Sequence, residues 1–255
     1  MKTKEIVERL DGLLYTEKFE EIDSSSNGLQ IGSNEGAVNH IAFAEDTSME
    51  TIQDAADIGA NMLVVHHGIA WGEMNRITGG EYNRIKALID ADISLYVSHL
   101  PLDAHQEFGN AAGLADILEL EGREPFGKLK GEFIGIAGEV KNPYTPERLR
   151  SLLAGELDTG DGSVKLLKFG SEKIGKIGIV TGAGGDWLGE AVERKLDVFI
   201  TGEGKARIYH EAKEENMNVI LAGHYATETF GVISLSEVVS DWGIKTTYIS
   251  RPTGL

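Results

Sequence analysis

Short apolar runs of strand length alternate with helix-length amphipathic segments along most of this chain, which restricts it to an α/β fold built from βαβ units. A first helix is predicted over residues 4–14. The loop Asp23-Ser24-Ser25-Ser26-Asn27-Gly28-Leu29-Gln30-Ile31-Gly32 then leads toward a strand over 40–44. Ser48 is placed to cap a helix over 48–58, and a buried strand over 62–65 follows. A helix over 82–89 and a strand over 93–97 repeat the unit. Further strands are predicted over 133–137, 176–181, 198–201 and 219–222, separated or followed by helical patterns.

Two pieces of this pattern match in kind. Ile41-Ala42-Phe43-Ala44, a helix and Met62-Leu63-Val64-Val65-His66-His67 correspond to Ile177-Gly178-Ile179-Val180, a helix and Val198-Phe199-Ile200-Thr201-Gly202-Glu203. The correspondence reads as a diverged duplication. It divides the chain into two similar, interlinked α/β halves, residues 1–128 and 129–255. The boundary is set where a helical pattern ends and Gly122, Pro125, Gly127 and Gly131 punctuate the sequence.

At 255 residues the chain can bury a sizeable core, and it has no cysteine, so disulfides, thiolate ligands and cysteine nucleophiles are excluded together. Any metal must be held by nitrogen and oxygen. A net charge of −17 without a long basic run makes nucleic acid a poor main partner. No run of about 18 apolar residues offers a membrane span, and no uncharged signal-peptide core follows the mixed-charge start, so a cytoplasmic location is expected.

Five of the seven histidines fall in three stretches, Val65-His66-His67-Gly68, His99-Leu100-Pro101-Leu102-Asp103-Ala104-His105 and Gly223-His224-Tyr225-Ala226-Thr227-Glu228. Each stretch follows or ends an apolar strand-like run, where α/β proteins place ligands. Adjacent side chains on a strand point to opposite faces, so His66 and His67 suit two different ions if the chain stays extended. A turn at Gly68 with φ > 0 would instead aim both rings into one crevice. A structural pair bonded to backbone carbonyls is the third reading. His224 and Glu228 are four apart on a helical pattern, which suits either chelation or an ordinary surface pair worth a few tenths of a kcal/mol.

Asp103 lies four residues beyond His99, and a carboxylate can bridge two cations through its two oxygens. Three neutral imidazoles with Asp103 and Glu228 would set −2 against +4 from two divalent ions, leaving a site that accepts hydroxide or an anionic substrate. Such a site generates a nucleophile from water near neutral pH, so hydrolysis is the natural chemistry. Nitrogen and oxygen donors suit zinc, iron, manganese or cobalt.

Taken together, Asn27-Gly28-Leu29-Gln30, the three histidine stretches, Trp71 and Thr201-Gly202-Glu203 resemble the Nif-three-like family of dinuclear-metal-centre hexameric proteins, often labelled GTP cyclohydrolase 1 type 2 homologues. The resemblance spans nearly the whole chain. It implies that His66, His67, Asp103, His224 and Glu228 hold two divalent transition-metal ions per chain, and that the chain forms a toroidal homohexamer. Many relatives carry proline where this chain has Gly68, and this chain lacks the extra central domain of longer relatives.

His99 and His105 are candidates for supporting or proton-transfer roles, because each lies close to Asp103 in sequence; a core histidine bonded to a carbonyl is the alternative for each. His210 sits on a helical pattern and reads as structural. Gly182-Ala183-Gly184-Gly185 lacks the third glycine of the dinucleotide fingerprint and reads as a tight strand-to-helix turn, with a phosphate contact as the minority alternative. The leading expected function is a metal-dependent hydrolase in which a metal-bridging hydroxide attacks a small-molecule substrate, with nucleotide ring opening suggested by the resemblance. The alternatives are a non-enzymatic iron carrier for metallocofactor assembly and, behind it, a transcription-linked adapter.

Overall fold

The computed structural model describes residues 1–72, 76–160 and 162–255. Two compact units emerge. One comprises Met1–Leu102 with Gly231–Arg251, and the other Asp103–Phe230 with Pro252–Leu255.

In the first unit, helix α1 (Thr3–Leu14) precedes strand β1 (Gly28–Ile31), and the core alternates β2 (His40–Asp46), α2 (Met49–Asp57), β3 (Met62–His67), α3 (Gly79–Asp90) and β4 (Ser94–Val97). The sheet order is β1-β4-β3-β2, completed by β11 (Lys245–Tyr248) beside β2. The strands β4, β3, β2 and β11 run parallel, and β1 pairs antiparallel with β4. Ala42, Leu63, Val65, Leu95 and Val97 are buried on this sheet against Ile52 and Leu88 of the helices. The expected cap at Ser48 is present, its hydroxyl accepting from the Thr51 amide at 3.0 Å.

The short helix α4 (Leu100–Asp103) leads to α5 (Asn110–Ile117) and the second unit's strands β5 (Glu121–Leu129) and β6 (Glu132–Tyr144), followed by α6 (Pro146–Glu156) and β7 (Lys165–Leu167). Its core then alternates β8 (Ile174–Ile179), α7 (Leu188–Glu193), β9 (Val198–Thr201), α8 (Ile208–Glu214) and β10 (Asn218–Leu221), before α9 (His224–Ser240). The sheet order is β5-β6-β8-β9-β10-β7. The core strands β8, β9 and β10 are parallel, and β7 pairs antiparallel with β10 as β1 does with β4. Each unit is thus a βαβαβ core closed by an antiparallel strand that precedes it in sequence, the repeat expected from the matching pieces.

The compact units do not divide at 128/129. Gly122, Pro125 and Gly127 belong to β5, which pairs with β6 in an antiparallel hairpin, and Gly131 lies in the turn between the two strands. Gly122 and Gly127 take positive φ of 58° and 71°, so they shape an irregular strand and do not mark a linker. Asp103 consequently belongs to the second unit, while His66 and His67 belong to the first. The segment read as a loop over 23–32 likewise holds the edge strand β1, and β3 extends through both His66 and His67. Among the described residues no helix is long and apolar enough to cross a membrane.

His40 is buried on β2, with Nε2 2.9 Å from Thr247 Oγ1 on the adjacent β11. Burial, then the nearby Lys245 charge, holds its pKa below the usual 6.5. Between that lowered value and 6.5 the unfolded chain binds more protons than the folded one, so stability rises with pH. Thermal melts should therefore show a component complete above pH 6.5 and lost as pH falls below it. His40→Gln should remove that component; an unchanged pH profile in the variant would contradict the assignment.

Candidate functional site

Candidate ligands cluster at the C-terminal ends of the parallel strands in each unit, where side chains leave the sheet and its helices no longer cover them. In the first unit β3 ends in His66 and His67, and the residues after β4 supply Ser98 and His99. His66 is fully buried, and its Nδ1 lies 3.0 Å from the Ser98 carbonyl oxygen. A carbonyl only accepts, so Nδ1 carries the proton and Nε2 a lone pair in the neutral ring. His67 Nδ1 donates to Asp46 Oδ1 at 3.0 Å and His99 Nδ1 to Asp23 Oδ1 at 2.9 Å, which fixes both rings in the same tautomer. In the neutral rings this puts the lone pair on Nε2, the tautomer in which oxygen acceptors commonly hold histidines that can bind a metal.

Gly68 does not supply the turn with φ > 0 considered above, since its φ lies outside the left-handed region. Its small size matters for another reason. A Cβ there would come within 2.5 Å of Val97 Cγ2 and 2.6 Å of Gln30 Oε1. That same oxygen accepts from the Ile69 and Ala70 amides at 2.9 and 3.0 Å, so Gln30 holds the segment after β3 in place. The two histidine rings lie with centroids 4.6 Å apart although they are consecutive on the strand.

Asp23 organises the approach to His99. Its buried carboxylate also accepts from Asn27 Nδ2, the Ser25 amide and the Leu100 amide, while Asn27 Oδ1 accepts from the His99 amide at 2.7 Å. Burial acts to raise the Asp23 pKa, but the hydrogen bond from His99, with the donors from Asn27 and Ser25, outweighs it and holds the carboxyl below its usual range.

In the second unit Asp103, His224 and Glu228 come together. Asp103 is buried, and its Oδ1 accepts from Asn110 Nδ2 at 2.8 Å and Thr181 Oγ1 at 3.3 Å. Oxygens of Asp103 and Glu228 lie within 4.8 Å of each other. Since α9 begins at His224, the i,i+4 spacing puts Glu228 on the same face, with Oε2 3.0 Å from His224 Nε2. The other ring nitrogen, Nδ1, lies 2.9 Å from Glu203 Oε1. A histidine flanked by two carboxylates in this way is satisfied either as the imidazolium or as a neutral ring that shares a cation with Glu228.

Gly182 closes the base of this cluster. It takes φ +56°, and a Cβ there would fall onto the Glu228 carboxylate and within 3.2 Å of His224 Nε2. The Gly182–Gly185 segment is the tight turn expected, continuing into a short 3₁₀ turn at Gly184–Trp187. A Cβ on Gly184 would meet Val180 and Thr201 Oγ1, so packing accounts for that glycine without a phosphate.

The remaining histidines stand apart from these clusters. His105 stacks on Phe108 at 3.4 Å between centroids, and its Nδ1 accepts from the Glu107 and Phe108 amides at 3.4 Å. His210 is exposed on α8. Asp23, Asp46, Ser98, Asn110, Thr181 and Glu203 orient the candidate ligands, roles that no spacing in the sequence assigns to them.

A match to the Duf34/NIF3 (NGG1p interacting factor 3) family covers residues 1–253. The chain belongs to that family. Among curated relatives, a Halobacterium salinarum protein named GTP cyclohydrolase 1 type 2 homolog is 50% identical over 233 residues, covering 91% of this chain and 92% of its own. A Pyrococcus horikoshii protein of the same name is 44% identical over 256 residues, with both chains fully covered. Among solved structures, protein ybgI, described as of unknown function, matches with a TM-score of 0.91 at 31% identity, and a Thermus thermophilus protein matches at 0.87 and 32%, each over 100% of both chains.

The donors present fit a divalent transition metal. They are imidazole nitrogens and carboxylate oxygens only; three histidines have ring tautomers set by oxygen acceptors, and His224, Glu228 and Gly182 form a cradle that a methyl group would fill.

Proposed function

We propose that this chain is a divalent-metal-dependent hydrolase holding two ions, with His66, His67, Asp103, His224 and Glu228 as their ligands. The observation that carries the reading is the commitment of Nδ1 to an oxygen acceptor in His66 and His67, which presents Nε2 as a lone-pair donor. Bound divalent ions would supply Lewis acidity and lower the pKa of water toward neutrality. The protein's part is orientation. Ser98, Asp46 and Glu203 fix the imidazoles, and Asn110 with Thr181 fixes the Asp103 carboxylate.

The name shared by the relatives, GTP cyclohydrolase 1 type 2 homolog, supports a nucleotide as the small-molecule substrate and hydrolytic ring opening as the reaction class. Family resemblance likewise supports a homohexamer, for which sedimentation should give six times the chain mass. Protein reconstituted without oxygen with iron, manganese, zinc or cobalt should hydrolyse GTP or another cyclic amide or phosphate ester. A chelator should abolish turnover, and His66→Ala should reduce it to background. Failure on every such substrate with every metal would defeat the hydrolase reading. Rapid exchange of one ion in that inactive protein would favour delivery of metal to another protein.

A further inference from the structure

Trp71 is the most exposed of the chain's three tryptophans, at 39%, while Trp187 and Trp242 are half-buried. We propose that its indole is the platform on which the planar nitrogen heterocycle of the substrate, a nucleobase, stacks beside the end of β3; the proposal rests on reading this strand end as part of the substrate site.

The indole is held through its backbone and through one edge. Trp71 forms an isolated antiparallel bridge with Ser25. Beside that bridge the Ser26 amide donates to the Ala70 carbonyl at 3.1 Å and the Gly72 amide to the Ser24 carbonyl at 2.7 Å, and Gln30 Oε1 accepts from the Ile69 and Ala70 amides. The segment 69–72 is thus tied to the loop 24–30 on both sides of the ring. Nε1, the ring's one polar atom, donates to the Gly68 carbonyl at 3.0 Å. With that edge satisfied and the backbone pinned, the exposed remainder of the indole is apolar and already in place, so little order has to be imposed when a flat ligand settles on it.

Its neighbours indicate the kind of ligand. The indole lies 5.0 Å from the His99 ring at 73° and 6.0 Å from the His67 ring at 46°. A single apolar side chain on a surface carries no message by itself, but this one borders the histidine cluster and is fixed there. The charges on this side are carboxylates: Asp46 Oδ1 and the buried Glu45 Oε1 lie 3.0 and 3.8 Å from His67 Nδ1, and Asp23 holds His99. They disfavour a phosphate here and leave the stacking face to the uncharged end of a nucleotide. Every base has a π-face, so stacking of this kind tolerates any of them. Trp71 therefore supplies affinity for the ring and not the choice among bases.

Tryptophan fluorescence and equilibrium dialysis on the full-length chain, with and without added zinc, test this with guanosine, adenosine and inorganic triphosphate as probes. Both nucleosides should quench the emission saturably, and triphosphate should not. Trp71→Phe should bind the nucleosides within about tenfold of wild type yet lose the quenching, and Trp71→Ala should bind them about 5- to 150-fold more weakly, the range for one stacked base. Equal guanosine affinity in a folded Trp71→Ala protein would overturn the proposal, as would undiminished quenching in Trp71→Phe. If Trp71→Ala fails to fold by circular dichroism, the Trp71→Phe comparison decides alone. A changed mass in sedimentation with guanosine affinity intact would assign the indole to a contact between copies and likewise overturn it. Wild-type protein that takes up zinc but neither nucleoside defeats this proposal alone. Nucleoside stacking in a chain that hydrolyses nothing with any metal would instead defeat the hydrolase reading and uphold the stacking site.

Discussion

Gly182→Ala is expected to abolish metal binding by the second cluster, removing about one ion per chain. Gly182 takes φ +56°, a conformation costing an alanine about 1–3 kcal/mol where the surroundings enforce it. They do enforce it. Its amide donates to Thr227 Oγ1 at 3.0 Å, and its carbonyl accepts from the Glu203 amide at 2.8 Å and Thr201 Oγ1 at 3.2 Å. The added methyl would occupy the place of the Glu228 carboxylate and press on His224 Nε2, so both candidate ligands would have to leave together. Elemental analysis beside thermal melts separates the two consequences: a modest fall in stability with a large loss of metal. Full occupancy in a folded Gly182→Ala protein would show that Glu228 and His224 are not ligands in this arrangement.

Asp23→Ala should be the most destabilising single change near the first cluster. The carboxylate, whose side chain is 1% exposed, accepts from four donors: His99 Nδ1, Asn27 Nδ2 and the amides of Ser25 and Leu100. Truncation strands these donors in a region water reaches poorly, at about 1–3 kcal/mol for each that stays unsatisfied. A loss of about 3 kcal/mol is expected after relaxation, a fall in Tm of roughly 6–12 °C for a chain of this size. Because its folded pKa is lowered, the stability that Asp23 contributes is present above the unfolded value near 3.9 and lost as pH falls through the folded one. Wild type and Asp23→Ala should therefore converge in stability only at strongly acid pH. A variant as stable as wild type at pH 7 would contradict this role.

The parallel cores were legible because their strands are short, mainly apolar runs between helical periods. Val198–Thr201 falls where the pattern puts it, and Ser48 caps its helix as its position demands. The flanking strands were not. The first five residues of β5 are exposed and its glycines mimic a linker, so only pairing with β6 reveals it as a strand. Strand β7 has only three residues, and β11, Lys245–Tyr248, is too polar to read as a core strand.

At the candidate site, sequence supplied the residues but not their supports. His66 and His67 are recognisable as a dipeptide and His224 with Glu228 as an i,i+4 pair. Asp23 acts on His99 across 76 positions, and Asp46 and Glu203 each act across 21. Such distances carry no local signature. Asn27-Gly28-Leu29-Gln30 was noticed as a motif without a reason; the structure supplies one, since Asn27 holds the His99 backbone and Gln30 the segment after His67.

Elemental analysis of the purified protein after anaerobic reconstitution, with His66→Ala alongside, tests the account most directly. About two divalent transition-metal ions per chain, reduced in a folded His66→Ala protein, is the predicted result. A wild-type chain that stays metal-free after exposure to iron, manganese, zinc and cobalt would contradict it, and would mean that these anchored histidines serve the fold alone.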